Sequence, residues 1–399
     1  MKALTDELKR WRKHRKGGRD QGWKAAFRAV FRGVLAGLFG RRTVVAQPCD
    51  VLLVHPSEKS YRQGRKKQLV TLLEEAGLRV IEHVERGSSE KLRRREFVFV
   101  RSVPWHARWE AFSAQYLLQR YPAKIILTER NGWVVPSYIK KLRTEKSLIV
   151  HLAHAVVTAQ SSQYDYYDYD YYLVYGQSSY DYLKSLESGF GKTQVCFKGP
   201  YFMYADVRLV AQQKNAGAVL FMGSGPDYED DPEYAEVCQW VIRLAEEKVV
   251  GKVYIKNHPR WPDPRWVQAA RRLNGALEVL TEEQFSFAMS QSRCALMSYT
   301  NALIDVSLSR VPFIMLGAAE DYFSICKFSI PWAKNYTDLK QKLITEVTSF
   351  DERFLTYHVS NTTRMAASVV DFVVALSQGR ASQGFTLEGR FGSSDTAMV

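Results

Sequence analysis

Several absences narrow the chain before any motif is read. Its five cysteines (Cys49, Cys196, Cys238, Cys294, Cys326) include no Cys-x-x-Cys pair and no Cys/His cluster at ligand spacing. That excludes a disulfide framework and a zinc module, and it fits a reducing compartment. Nowhere do about 18 apolar residues run uninterrupted, and no apolar run follows a short basic stretch at the N-terminus. Neither a spanning helix nor export by a signal peptide is expected. Gly-x-Gly-x-x-Gly after the first strand and Gly-x-x-x-x-Gly-Lys-[Ser/Thr] are both missing, which sets aside the dinucleotide fingerprint and the P-loop. Gly-x-Ser-x-Gly is missing too, and Gly223-Ser-Gly225 is too short to form that nucleophile elbow.

What remains is ordinary globular usage: 399 residues, 46% hydrophobic and 25% charged, long enough for two domains. The net charge of +14 is very uneven. Residues 1–42 hold 13 Lys/Arg against Asp6, Glu7 and Asp20, so the other 357 residues carry only +4. Within that segment Trp23, Phe27, Val30, Phe31, Val34, Leu35 and Leu38 form one stripe of a 3.6-residue helix, flanked by Lys24, Arg28 and Arg32. A basic amphipathic helix of this kind lies in an anionic headgroup plane, each basic residue contributing about 1 kcal/mol. Trp23, Lys24, Phe27, Arg28, Phe31 and Arg32 are the expected membrane contacts. The alternative is a helix that packs its stripe on the body, the preceding Lys/Arg run being a solvated tail. Nucleic acid is not expected as a partner, because the body has no basic face interleaved with aromatics.

From Asp50 on, short β-branched runs alternate with helical patterns, the grammar of parallel sheets covered on both faces. Strands are predicted at Asp50–Pro56, Arg79–Val84, Phe97–Val100, Lys124–Thr128, Leu148–Leu152, Tyr172–Tyr175 and Gln194–Phe197. A polar stretch at Val210–Gly217 precedes a second series: Ala218–Met222, Lys252–Lys256, Ala276–Leu280, Cys294–Met297 and Phe313–Leu316. The predicted organisation is a membrane-surface segment 1–49, a Rossmann-like domain 50–210, a second 211–378 and a flexible tail 379–399. Ligands of such doubly wound halves bind in a cleft at the carboxyl ends of the strands.

Candidate residues sit at those ends. Lys256-Asn-His-Pro259 closes a strand and offers His258 to a phosphate oxygen, or merely a satisfied loop histidine. Met297-Ser-Tyr-Thr-Asn301 leads into a helix, with Ser298 or Thr300 as cap or phosphate donor. Gly223–Glu233 gathers Asp227, Glu229, Asp230, Asp231 and Glu233; it supplies a base, a nucleophile or a metal ligand, or is an acidic helix entrance favoured by the dipole. In the first half His151-Leu-Ala-His154 ends a strand, with His154 a possible base on an acceptor. Tyr164–Tyr172 follows, suited to sugar hydroxyls, to an interface or to a half-buried strand.

The order of these motifs, through Ser298-Tyr-Thr-Asn-Ala-Leu-Ile-Asp-Val-Ser-Leu-Ser-Arg-Val-Pro-Phe-Ile314, resembles the GT-B bacterial envelope-polysaccharide transferases. The likeness is to the capsule-synthesis β-Kdo transferases and the related CDP-glycerol glycerophosphotransferases, and it runs from about 150 to the C-terminus. It implies an α/β GT-B fold of two Rossmann-like domains with an interdomain cleft. Asp230 or Asp231 would be the nucleophile of a retaining transfer, and Lys256, His258, Ser298, Tyr299, Thr300 and Asn301 would hold the donor phosphate. The place of the glycerophosphotransferase His-Gly reads His154-Ala155 here, and the Trp-Arg usual near the acidic loop is missing, so the Kdo type is favoured. The implied substrates are a CMP- or CDP-activated donor and a lipid-linked glycan, without a separate cofactor or metal, on the cytoplasmic face of a membrane. A glycerophosphotransferase and a non-catalytic glycan-binding protein on the same fold are the alternatives.

Overall fold

The computed structural model describes residues 1–15, 23–143, 147–158, 164–202, 217–298, 300–317, 322–345 and 350–391, with only the backbone of Arg15 and residues 23–26. The chain divides into two compact units, Met1–Phe202 with Ser360–Val399, and Met203–Val359. Strands in chain order are β1 (Cys49–His55), β2 (Val80–Val84), β3 (Ala123–Thr128), β4 (Leu148–Leu152), β5 (Tyr171–Val174), β6 (Lys192–Phe197), β7 (Ala218–Met222), β8 (Lys252–Lys256), β9 (Leu277–Val279), β10 (Ser292–Met297), β11 (Phe313–Leu316), β12 (Trp332–Ala333) and β13 (Phe385–Glu388).

The first unit has one seven-stranded sheet in the order β13-β6-β5-β4-β3-β1-β2, parallel except for β13. The second has a six-stranded parallel sheet in the order β12-β11-β10-β7-β8-β9. Their central strands are buried on both faces, Val51 to Val54 and Val219 to Phe221 being fully covered, which is why they read as unbroken apolar runs. The helix Pro232–Glu246 shows how the flanking layer is encoded. Asp231 caps it, Pro232 starts it without needing an N–H, and Tyr234, Val237, Cys238, Val241, Leu244 and Ala245 fall on its buried face.

The structure departs from the sequence reading at four places. Residues 360–391 do not continue the second unit, and 379–391 do not form a free tail; the rest of the expected tail lies outside the described residues. The helix Met365–Ser377 packs Val369, Phe372, Val373 and Leu376 beneath the first sheet, and β13 adds an antiparallel edge along β6. A helix so apolar needs an apolar face, and the first sheet supplies it. The run Phe97–Val100 forms no sheet strand. It bridges to Arg41, through Arg41 N–H to the Phe97 carbonyl at 2.8 Å and Phe99 N–H to the Arg41 carbonyl at 2.9 Å, and the Val98 amide donates to the Phe112 carbonyl at 3.1 Å.

Residues 2–15 are not a solvated tail. They form a helix whose Leu8 and Trp11 are buried, Trp11 lying against Tyr166 and Phe190 and donating its indole N–H to the Ser188 carbonyl at 2.8 Å. The Tyr/Asp stretch is core: Tyr164, Tyr166, Tyr167, Tyr169 and Tyr172 are all buried. The boundary expected near 210 lies outside the described residues.

If the Lys2–Arg15 helix is part of the fold, Trp11→Ala will lower the urea-unfolding free energy of the full chain by about 3–5 kcal/mol. A solvated tail would leave the transition unmoved.

Candidate functional site

Parallel strand order fixes where polar groups collect. In the first unit β1 lies between β2 and β3, and in the second β7 lies between β8 and β10, so the winding reverses at β1/β3 and at β7/β10. At such reversals the following loops splay apart and leave a ligand site at the carboxyl edge.

In the second unit the edge brings together most of the expected donor-site segments, since Met222 pairs with Lys256 on one side and Met297 on the other. The Gly223 amide donates to the Lys256 carbonyl at 2.9 Å. Gly225 lies so close to His258 that a Cβ there would stand 3.6 Å from the imidazole. His258 Nδ1 accepts the Arg260 amide at 3.2 Å. Lys256 is buried and already neutralised by Glu282 at 2.6 Å, leaving Arg260 as an exposed cation of this edge, 3.7 Å from Asp227. Ser298 and Thr300 are buried, with Thr300 Oγ1 accepting the Ala302 amide at 3.3 Å, and Asn301 is exposed. Tyr299 lies outside the described residues.

The two candidate carboxylates separate. Asp231 accepts the Glu233 and Tyr234 amides at 2.9 and 3.3 Å and is the helix cap, whereas Asp230 is exposed in the loop before it. Two buried polar atoms at this edge, Ser224 Oγ and Asn257 Oδ1, have no hydrogen-bond partner among the described residues. Buried polar atoms are normally satisfied, so a pair of orphans at the ends of adjacent strands marks a place where a ligand would complete the bonding. Sequence reasoning passed over Ser224 and Asn257, although both stand inside motifs it singled out.

The first unit holds a cluster that the sequence did not disclose. Lys66 Nζ lies 2.7 Å from Glu129 Oε1, both buried, with Lys66 just before a helix and Glu129 just after β3. Ser60 donates to Glu129 at 2.6 Å, and the Tyr201 hydroxyl donates to its other oxygen. His55, the last residue of β1, donates Nε2–H to Glu82 at 2.6 Å, with its Nδ1 3.5 Å from Lys66 Nζ. Burial alone would raise Glu129, but the Lys66 ammonium and the two hydroxyls hold its pKa down at about 2, which makes it a poor base. Beside it, burial lowers the pKa of His154 and brings His151 down to about 3. The Nδ1 atoms of His151 and His154 are buried and without a hydrogen-bond partner among the described residues. The charged partners come from loops far apart in sequence, so the only signal available was a Ser, Lys or Glu just beyond a strand.

No family model and no curated protein matches the chain. Solved structures do. UDP-GlcNAc 2-epimerase from Neisseria meningitidis bound to UDP-GlcNAc aligns with 82% of this chain and 99% of its own, at 11% identity and a TM-score of 0.50. The S. aureus MnaA–UDP co-structure aligns with 84% of this chain and 100% of its own, at 12% identity and a TM-score of 0.50. At these identities the likeness is one of fold: the chain has the GT-B fold of two Rossmann-like units.

The buried neutral histidines set an acid limit. The folded pKa of His151 is far below the unfolded value of about 6.5, so the unfolded chain binds protons first as pH falls. The stability this gives is complete above about pH 6.5 and declines below it, towards pH 3. Melting temperatures of the full chain should therefore drop between pH 7 and pH 4. His151→Phe, which keeps a ring against Tyr172 (centroids 4.2 Å apart), should make that slope shallower; an unchanged slope would mean that folding does not lower the pKa of His151.

Proposed function

We propose that this chain is an enzyme acting on a nucleotide-activated sugar, a glycosyltransferase that uses the carboxyl edge of β7, β8 and β10 for the donor. The reading is supported above all by the orphaned Ser224 Oγ and Asn257 Oδ1 beside His258, at the carboxyl edge where open α/β sheets bind ligands. His258 and the backbone amides of the Ser298–Asn301 loop would face the leaving phosphate. The resemblance favours CMP-linked Kdo as donor and a lipid-linked glycan as acceptor, with glycerol phosphate transfer from a CDP donor as the alternative. UDP-GlcNAc or UDP occupies the two neighbours, which makes uridine nucleotides the rival ligands.

The residues divide into roles. Asp230 would attack the anomeric carbon, the donor phosphate leaving with the bonding pair. The acceptor hydroxyl would then displace the Asp230 carboxylate, its proton passing to a general base. In the first unit His154, a neutral imidazole with an open Nδ1, is the candidate for a base on an acceptor. Asp231 would hold the helix rather than the sugar.

A thermal-shift panel of CMP, CDP, UDP, GDP and ADP tests the donor first, since a nucleotide at 100 times its dissociation constant stabilises by about 2.7 kcal/mol. The expected result is a cytidine-selective shift that His258→Ala diminishes. A uridine preference would retain the nucleotide-sugar reading and discard CMP-Kdo, and no shift from any nucleotide would favour a non-catalytic glycan-binding protein. Asp230→Asn should abolish transfer yet keep the nucleotide shift, and Asp231→Asn, still a good N-cap, should retain both. Asp231→Ala should cost about 1 kcal/mol of stability. Full transfer by Asp230→Asn would remove it as nucleophile.

A further inference from the structure

The helix Trp23–Phe39 docks the wrong way round for a helix that serves only the fold. It meets the turn Trp105–Ala107 and the helix Arg108–Arg120 through Gly33, Ala36 and Gly37, the first two buried. The approach is so close that a Cβ on Gly33 would fall 1.7 Å from the Trp105 carbonyl oxygen. Several of its large residues face away, although Val34 and Leu35 are half-buried: Phe27, Phe31 and Leu38 are 63%, 53% and 71% exposed, and the Phe27 and Phe31 rings stack at 6.2 Å. At 3.6 residues per turn that stripe is about 150° around the helix from Gly33, Ala36 and Gly37. Amphipathic helices on a soluble surface bury the large side chains and expose the small or polar ones. Of the expected contacts, Phe27, Arg28, Phe31 and Arg32 are exposed, and the side chains of Trp23 and Lys24 lie outside the described residues.

The body adds to this face. Trp105 is 51% exposed, lying over Gly37 with the Arg108 guanidinium 3.5 Å above its ring. Phe99 is also 51% exposed, tied through its amide to Arg41 at the end of the helix. Exposed arginines border these rings: Arg28, Arg32, Arg41 and Arg42, joined by Arg94, whose carbonyl accepts from Arg41, and Arg95, which donates to the Phe39 carbonyl at 3.3 Å. Glu90 pairs with Arg93 and Arg94, but the sequence has no acidic residue from 21 to 49.

We propose that this face is an interfacial platform for an anionic bilayer. The Phe27–Phe31–Leu38 stripe, Trp105 and Phe99 enter the acyl boundary, and the arginines meet the lipid phosphates. A second copy of the chain is a poorer occupant, because a two-fold contact would set these arginines against their own copies. The inference goes beyond sugar transfer and does not depend on which nucleotide is bound.

The test is cosedimentation of the full chain with phosphatidylcholine vesicles, with and without phosphatidylglycerol, at low and high salt. Binding is expected only to the phosphatidylglycerol vesicles and should weaken with salt. The double variant Phe27→Glu/Phe31→Glu should lower it roughly tenfold, and Phe99→Ala/Trp105→Ala several-fold. Vesicle binding by Phe99→Ala/Trp105→Ala equal to the parent would reduce the face to the helix alone and overturn the platform. Failure of the parent to bind, with a concentration-dependent dimer that Phe27→Glu/Phe31→Glu dissociates, would assign the face to a second copy. Nucleotide thermal shifts on the same variants should stay at the parent value, so loss of membrane binding and loss of donor binding are read separately.

Discussion

In a parallel sheet every strand leaves at the same edge, and almost everything of functional interest in this chain follows from that constraint. Both sheets are covered on their two faces, so a polar side chain that is to meet a ligand has only the carboxyl edge available. His55, Glu129, His151 and His154 occupy that edge in the first unit, and Ser224, Asn257, His258 and Ser298 occupy it in the second. Glu129 follows β3 beside His55 at the end of β1, and Ser224 and Ser298 follow β7 and β10, the strand pairs at which the order reverses and the loops diverge.

Within the first unit the electrostatics assign work among groups of similar reach. Lys66 and Glu129 satisfy each other, and the hydroxyls of Ser60 and Tyr201 complete the carboxylate, so Glu129 is a poor base. His55 is engaged by Glu82. His154 is left as an imidazole kept neutral by burial, with one nitrogen open. A similar division runs through the acidic loop of the second unit: Asp231 is tied to two amides of the helix it starts, and Asp230 is not part of that cap.

The Trp23–Phe39 helix reverses the usual rule of burial. Glycine and alanine approach the body because only they allow backbone contact at that distance, and the phenylalanines are left in solvent. The face is made of parts remote in sequence, since Phe99 is tied to Arg41 58 positions before it and Trp105 lies over Gly37 68 positions before it.

Much of the architecture was legible because it rests on local pattern. Strands buried on both faces must be short unbroken apolar runs, so Leu148–Leu152, Ala218–Met222, Lys252–Lys256 and Phe313–Leu316 coincide with the elements found. The helices at 232 and 264 each start with a proline behind a capping aspartate, Asp231 and Asp263. Phe97–Val100 shows the limit: an apolar run states that it wants to be covered, but not by what. The same holds for Trp11 and for the helix Met365–Ser377, whose partners are set by which face of the first sheet remained open. The sequence by itself determined the alternation of elements, the motifs at the strand ends and the concentration of positive charge before residue 43. Tertiary structure alone decided that Lys66 meets Glu129 and that the aromatic stripe faces outward. Those outcomes depend on contacts between distant segments, which no local periodicity records.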